Sequence, residues 1–367
     1  MKKHNKTTRK IAFPHMTSLF ITTLLLSLVG LLFVFEASSV NALQNFDNSF
    51  YFLNLQVRWF VIGFAVLLAF AFFDYKKLYY VAFPFFGIVL VLLVAVLIPS
   101  IGQKIGGARR WIDLGFFALQ PSEFAKLAII MYLSSWFLHK EKSRFLPFIS
   151  LVGILMFLIL LQPDMGTAII VFGLCVIMYF FSGENILYLL VLLPTAVAGF
   201  IGLIIAAPYR MQRITAFLDP SKDPQGVGYH INQILISLSN GGFLGEGFGA
   251  SRQKYLFLPE AHTDSIFAIV GEEFGFVGGV LLIFLYGFLL YNLYAIYQKT
   301  SDRFGKLLIG AIFVFFGLQI LTNLGGMVSL LPLTGVPLPF ISYGGSHMLV
   351  SCILIGIAMN IARKAHA

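Results

Sequence analysis

The chain has 367 residues, of which 59% are hydrophobic, 16% aromatic and only 11% charged, with a mean hydropathy of +0.88. That composition excludes a soluble globular domain and marks an integral membrane protein. The net charge of +9 is scattered over loops, and the polar segments are too short for a nucleic-acid-binding module, so no nucleic-acid partner is expected.

Apolar runs of roughly 17 to 25 residues suit membrane-crossing helices, whereas barrel strands would be shorter and would alternate. A basic tail, residues 1–15, precedes the first span at 16–35. No small-residue cleavage site ends that span and further spans follow, so an uncleaved first helix is expected. The later spans fall at 57–73, 78–98, 123–138, 146–161, 166–182, 186–207, 265–295, 307–330 and 346–362. The predicted fold is an all-α polytopic membrane protein of ten transmembrane helices, a single membrane domain over 16–362 with a short tail at 363–367. A large extracytoplasmic loop, 208–264, separates helices seven and eight. Cys175 and Cys352 both lie in apolar spans and offer neither a disulfide framework nor metal-ligand spacing.

Positive charge accumulates on cytoplasmic loops. With the N-terminus inside, the inner loops carry Lys76 and Lys77, then Lys140, Lys142 and Arg144, then Lys299, Arg303 and Lys306, and the tail carries Arg363 and Lys364. The outer loops at 37–50, 162–165 and 331–345 carry none. Both termini are therefore expected in the cytoplasm. Two outer loops nevertheless keep basic residues: Lys104, Arg109 and Arg110 at 99–122, and Arg210, Arg213, Lys222, Arg252 and Lys254 at 208–264. Basic side chains held outside point to an anionic ligand there. In the longer loop, Asp219 to Pro224 is a turn signal, residues 228–238 read as a short amphipathic helix, and Gly245, Gly247 and Gly249 follow. Such glycines suit a tight loop packed on the membrane surface, or the close approach of a phosphate.

The sharpest cluster is Leu258-Pro259-Glu260-Ala261-His262-Thr263-Asp264, which runs straight into an apolar span. An acid near the bilayer core costs roughly 2.5 to 3.5 kcal/mol, so it calls for a reason. With Thr263 as helix cap, Asp264 would sit in the first turn, either as a dipole-stabilised carboxylate or as a general base beside Glu260 and His262. Glu272 and Glu273 are expected two turns deeper in a structural role, with Gly271, Gly275 and Gly279 forming a helix-packing face. Gln120-Pro121-Ser122-Glu123-Phe124-Ala125-Lys126 places Glu123 and Lys126 three apart, as an intrahelical salt bridge or as lining of the Asp264 cavity with Lys126 open to a phosphate. Gln162-Pro163-Asp164 repeats that design, and Asp164 reads as a helix cap. Pro332, Pro337 and Pro339 with Gly335, Ser342, Tyr343, Gly344, Gly345 and Ser346 form a rigid, non-helical outer segment assigned to packing or substrate contact.

These motifs, in this order and over almost the whole chain, resemble the shape, elongation, division and sporulation (SEDS) family. The resemblance rests on Glu36 to Val40, Ala108 to Ile112, Gln120 to Glu123, Gln162 to Asp164, Tyr209 to Ile214, Leu258 to Asp264, Glu272 to Phe276 and Pro337 to Ser346. Within it, Ala37 to Ala42 and Gln253-Lys254-Tyr255 favour the FtsW branch over RodA. The resemblance implies a peptidoglycan glycosyltransferase that polymerises lipid II on the outer face of the cytoplasmic membrane, with a class B penicillin-binding protein as transpeptidase partner and other division proteins nearby. It carries the family's essential aspartate onto Asp264, and its paired acid and lysine onto Glu123 and Lys126. The sequence departs from the family pattern at Ser265, where Phe is usual, at His347, where Ser is common, and at His230, where Gln is usual.

The expected reaction is an inverting glycosyl transfer with Asp264 as base and Lys126, Arg210 and Arg213 as candidates to stabilise the leaving pyrophosphate. Glu260, His262, Arg109 and Arg110 complete the expected substrate cavity. No cofactor is assigned, and a divalent cation, Mg or Mn, could assist. The rival readings are a lipid II flippase, in which Glu272 or Glu273 would matter more than Asp264, and a non-catalytic scaffold for the penicillin-binding protein.

Overall fold

The computed structural model describes residues 14–105, 107–115, 117–139, 144–255 and 257–365. The tail through residue 13, Lys140 and Lys142 of the second inner loop, and residues 366–367 lie outside the described residues. Among the described residues, eight helices are long and apolar enough to cross a membrane: α1 (Pro14–Phe46), α2 (Tyr51–Phe72), α3 (Leu78–Ala95), α6 (Met165–Ser182), α7 (Leu187–Ile205), α10 (Ile266–Lys299), α11 (Arg303–Met327) and α12 (Gly345–Ala365). Two shorter helices, α4 (Pro121–Trp136) with 16 residues and α5 (Phe145–Leu161) with 17, occupy the fourth and fifth expected spans. The chain is a polytopic helical membrane protein.

Burial separates the inner helices from the outer ones. In α12 the apolar window is 89% buried and in α7 only 6%, so α12 is a central strut and α7 faces lipid. Small residues let backbones close on that strut. A Cβ on Gly356 would lie 2.5 Å from the Leu67 carbonyl of α2, and one on Gly30 of α1 would lie 2.3 Å from the Phe340 carbonyl. Polar side chains then tie helix ends together: Asn360 donates to Ala71 O at 2.8 Å and accepts from Tyr75 N at 3.1 Å.

Several boundaries differ from expectation. α1 continues to Phe46, well past residue 35, because no glycine or proline stops it and Ser38 hydrogen-bonds back to the Val34 carbonyl at 2.6 Å. The outer segment at 99–122 is not plain loop. It holds an antiparallel sheet of β1 (Gly102–Ile105), β2 (Ala108–Asp113) and β3 (Ala118–Leu119), paired Gly102 to Ile112 and Ile112 to Leu119. Alternation in β2 turns Ala108 and Ile112 inward. The 208–264 segment contains the expected amphipathic helix as α9 (Val227–Gly241), and also α8 (Pro208–Leu218), started by a proline at its first position.

The largest correction concerns α10. Gly275 has φ +62 and ψ −159, which breaks the helix in two. Residues 242–247 fill the break: Phe276 N donates to Gly242 O at 2.9 Å, Val277 N to Phe243 O at 3.2 Å, Glu246 N to Glu272 O at 3.0 Å and Gly247 N to Glu273 O at 3.0 Å. Exposed helical backbone is thereby satisfied by protein, the condition under which a break at membrane depth is tolerated. Before the break, Ile266 to Glu273 are buried under α9 and the glycine loop, while from Phe276 onward large apolar side chains are exposed. Apart from Phe274, the exposed apolar side chains of α10 therefore follow the break. Gly271, Gly275 and Gly279 do not form one continuous packing face, because Gly275 is the break itself.

Candidate active site

The segment 258–265 folds into a turn that delivers Asp264 to the entrance of α10. Thr263 N and Ser265 N both donate to the Glu260 carbonyl, at 3.2 and 3.1 Å, and Glu260 takes a positive φ of 50 to close it. Thr263 does not cap the helix as expected. Ser265 occupies the cap position, and the Thr263 hydroxyl lies 2.7 Å from Glu260 Oε2 and 3.1 Å from Asp264 Oδ1. Asp264 accordingly precedes the helix rather than sitting in its first turn.

The Asp264 carboxylate forms one wall of a narrow cleft, closed to a water-sized group in this conformation, whose other walls are Thr322, Asn323, Gly326 and Met327 of α11 and the extended segment Leu333 to Val336. Gly335 borders it, a Cβ there standing at an ordinary 3.5 Å contact from Asp264 Oδ2, and its φ of +70 is the reason for a glycine at this turn. Asn323 fixes the walls to each other, donating to Asp264 O and Val336 O at 2.8 Å each. Burial and the Glu260 charge push the Asp264 carboxyl up to about 6, against hydrogen bonds from its own backbone and Thr263 and the charge of Arg213. A carboxylate of that basicity is suited to take a proton near neutral pH.

Arg213 of α8 is the basic side chain whose charge the Asp264 carboxyl feels, and it donates to the Leu333 carbonyl in the cleft wall at 3.0 Å. The other basic candidates are occupied. Arg210 donates to Tyr209 Oη at 2.8 Å and Leu203 O at 2.9 Å, which locks the corner between α7 and α8. Arg110 donates to the carbonyls of Gln162 and Pro163, pinning the sheet to the α5–α6 corner. Arg109 sits half-buried on β2 opposite Lys104. His262 packs its ring against Phe52 and Tyr343, with centroids 4.6 and 5.6 Å apart, and burial lowers its pKa, so it is a neutral wedge and not a cation of the mouth.

Glu123 and Lys126 form a buried ion pair of 2.6 Å, and Lys126 Nζ also lies over the Phe315 ring at 5.6 Å. Glu123 Oε2 meets His347 Nδ1 at 3.2 Å, while His347 Nε2 is buried without a partner. Neither Glu123 nor Lys126 lines the Asp264 cleft, and Lys126 is 1% exposed, so the expectation of an open lysine sharing that cavity is not met. Asp164 caps α6 by accepting from Thr167 N at 3.1 Å and touches Ser122 Oγ at 3.3 Å, which joins the two Gln-Pro motifs. Ser342 and Gly344 are held by Gln56 and by Leu338 N, and Gly345 lies flush against Trp59.

Glu272 and Glu273 are buried. Glu272 accepts from Ser237 and Ser251 hydroxyls at 3.2 and 2.5 Å and from Arg252 N at 3.2 Å. Glu273 pairs with Lys254 at 3.4 Å, and Lys254 reaches Glu36 of α1 at 2.7 Å. The two acids anchor the segment that leads into the Asp264 turn. Among the described residues no group of three His, Cys, Asp or Glu side chains comes together to hold a metal ion.

The sequence model of the cell cycle proteins of the FtsW, RodA and SpoVE type matches residues 16–367. The chain belongs to this family. Stage V sporulation protein E of Bacillus subtilis is 38% identical over 358 residues, covering 94% of this chain and 96% of that protein. The probable peptidoglycan glycosyltransferase FtsW of Trichlorobacter lovleyi is 39% identical over 351 residues, covering 94% and 92%. Among solved structures, a chain of a peptidoglycan synthase complex that coordinates polymerization and crosslinking superposes with TM-score 0.78 at 28% identity, covering 97% of this chain and 99% of that one. The rod shape determining protein RodA of Thermus thermophilus superposes with TM-score 0.70 at 26% identity, covering 98% and 100%.

Seen as a member of the FtsW, RodA and SpoVE family, the chain carries its three departures at contacts and not on open surface. His230 and Ser265 touch each other at 2.7 Å, and His347 joins the Glu123–Lys126 pair. Sequence reading missed Asn323 altogether. It lies in the apolar helix α11 one turn after Gln319, and that pair of amides four apart was the signal available in the sequence.

Proposed function

We propose that Asp264 is the general base of a peptidoglycan glycosyltransferase that polymerises lipid II. A sugar hydroxyl of one lipid II attacks the anomeric carbon of a second, its proton passes to the Asp264 carboxylate, and the bond to the undecaprenyl-linked pyrophosphate breaks with its electrons leaving on the phosphate oxygen. The product is an inverted glycosidic bond. The observation that carries this reading is a carboxylate placed at the entrance of α10 against α11 and the 333–336 segment, whose wall Arg213 holds through Leu333. Arg213 would offset charge on the leaving pyrophosphate. No step is routed through a cation. A class B penicillin-binding protein is the partner that fits, as the similar synthase complex combines polymerization with crosslinking. Septal synthesis, with other division proteins, is the role that the FtsW relatives favour.

The membrane is the cytoplasmic one, with both termini inside and the cleft outside. Lys364 pairs with Asp74, and Tyr75 Oη bonds Asp302 at 3.1 Å, so the basic loops and the C-terminal tail gather at one end of the bundle. The positive-inside rule makes that end cytoplasmic. A flippase would need mobile acids, whereas Glu272 and Glu273 are fixed by hydroxyls, amides and Lys254. The test is polymerisation of labelled lipid II by the purified complex. Asp264→Asn should lose at least about a hundredfold in rate, and wild-type turnover by that variant would refute the assignment. The parent's rate should fall as pH drops through about 6, because only the ionised carboxylate accepts the proton.

A further inference from the structure

We infer that His230 is a positioning residue for the reaction, holding the Asp264 turn closed from the α9 side through Ser265. This rests on the assignment of Asp264 as base. Three observations carry it. First, His230 Nε2 lies 2.7 Å from Ser265 Oγ, the residue directly after Asp264. Second, the Pro259 carbonyl lies near enough to the ring to raise its basicity, so the imidazole stands against both ends of the 259–265 turn. Third, Ser265 stands at the N-cap of α10 yet makes no side-chain cap bond. A serine at that position ordinarily accepts from a helix N–H, and here its hydroxyl is turned to the histidine instead.

The protonation state agrees with this geometry. Burial drives the His230 imidazole down to about 4, with the Glu260 charge opposing, the Arg213 charge assisting and the Pro259 carbonyl opposing. The ring is therefore neutral at working pH. A neutral ring either accepts the Ser265 hydroxyl proton at Nε2 or donates to that oxygen in the other tautomer, and both join the two residues. Glu260 and Arg213 are the charges that act on it, and both act on Asp264 as well. Asn323 holds the Asp264 carbonyl from α11 and Tyr343 N holds the His262 carbonyl at 2.9 Å. His230 is the contact from the opposite side. Without it the turn is free to open toward water, and the carboxylate loses both its position and its raised basicity.

The experiment uses the full chain in complex with its penicillin-binding partner and labelled lipid II, with turnover followed from about pH 5 to about pH 8. Variants are His230→Ala, His230→Gln, Ser265→Ala and the double His230→Ala/Ser265→Ala, with Asp264→Asn as reference. His230→Ala and Ser265→Ala should each lower kcat by about tenfold with KM within roughly twofold. The double variant should be no worse than the weaker single, since both break one contact. The acid limb of the pH profile should move to lower pH in both. His230→Gln, whose amide can accept from Ser265 or donate to it, should recover most of the rate. Wild-type kcat and an unmoved acid limb in Ser265→Ala, which removes one oxygen and preserves the fold, would overturn the assignment. So would equal losses in His230→Ala and His230→Gln. Failure of the underlying reading shows separately, as activity retained by Asp264→Asn.

Discussion

Asp264 is held against its own ionisation, and that has a thermodynamic consequence. A carboxyl whose folded pKa exceeds its unfolded value binds more protons folded than unfolded, so stability is lost as pH rises from the ordinary 3.8 through about 6. Asp264→Asn should therefore melt higher than the parent at pH 7.5, by up to roughly 3 kcal/mol, with the gap closing below pH 6. A thermal melt of detergent-purified protein at several pH values checks it, and an equal or lower melting point at pH 7.5 would contradict the raised pKa. Sequence alone placed an acid at this mouth among basic loop residues. It offered the Glu123–Lys126 pair as one of two readings, since the two are three apart, but it could not show that Arg110 spends its charge on the Gln162 and Pro163 carbonyls, more than fifty residues away. The Asn323–Asp264 and His230–Ser265 contacts were illegible for the same reason.

At the scale of elements, α10 and the glycine loop are one unit. The break at Gly275 lets residues 242–247 dock, and Glu272, Glu273 and Lys254 then hold the following segment in place. A Cβ at Gly275 would lie 2.4 Å from Gly245 N and would require an unfavourable positive φ of 62. Gly275→Ala should destabilise the protein by about 2 kcal/mol or more and lower the yield of folded complex. Fluorescence-detected size-exclusion after heating measures this, and a parental profile would show the break to be dispensable. Lys254→Met should do more damage, about 3 kcal/mol, since it strands Glu36 and Glu273 without a cation. Combining Lys254→Met with Glu36→Gln should restore part of that loss. The period-four glycines were visible in the sequence, but a packing face and a break look alike there. Only the docked loop distinguishes them.

The whole molecule is a bundle with its basic loops at one end and its cleft at the other. Both native cysteines are buried, so a single added thiol reports its own side without background. Ser221→Cys, in the exposed turn between α8 and α9, should react with an impermeant maleimide applied to intact cells from outside, and Lys77→Cys should not. The opposite pattern would invert the orientation. Sequence by itself determined the membrane class, the apolar segments and the family, because hydropathy and contiguous motifs are local properties of the chain. Only tertiary structure decided which helices are inner, that the exposed apolar side chains of α10, Phe274 apart, follow its break, and which of several candidate bases and acids surround Asp264. Those outcomes depend on which distant side chains consume one another's charge and hydrogen bonds, and that pairing is settled only when the helices pack.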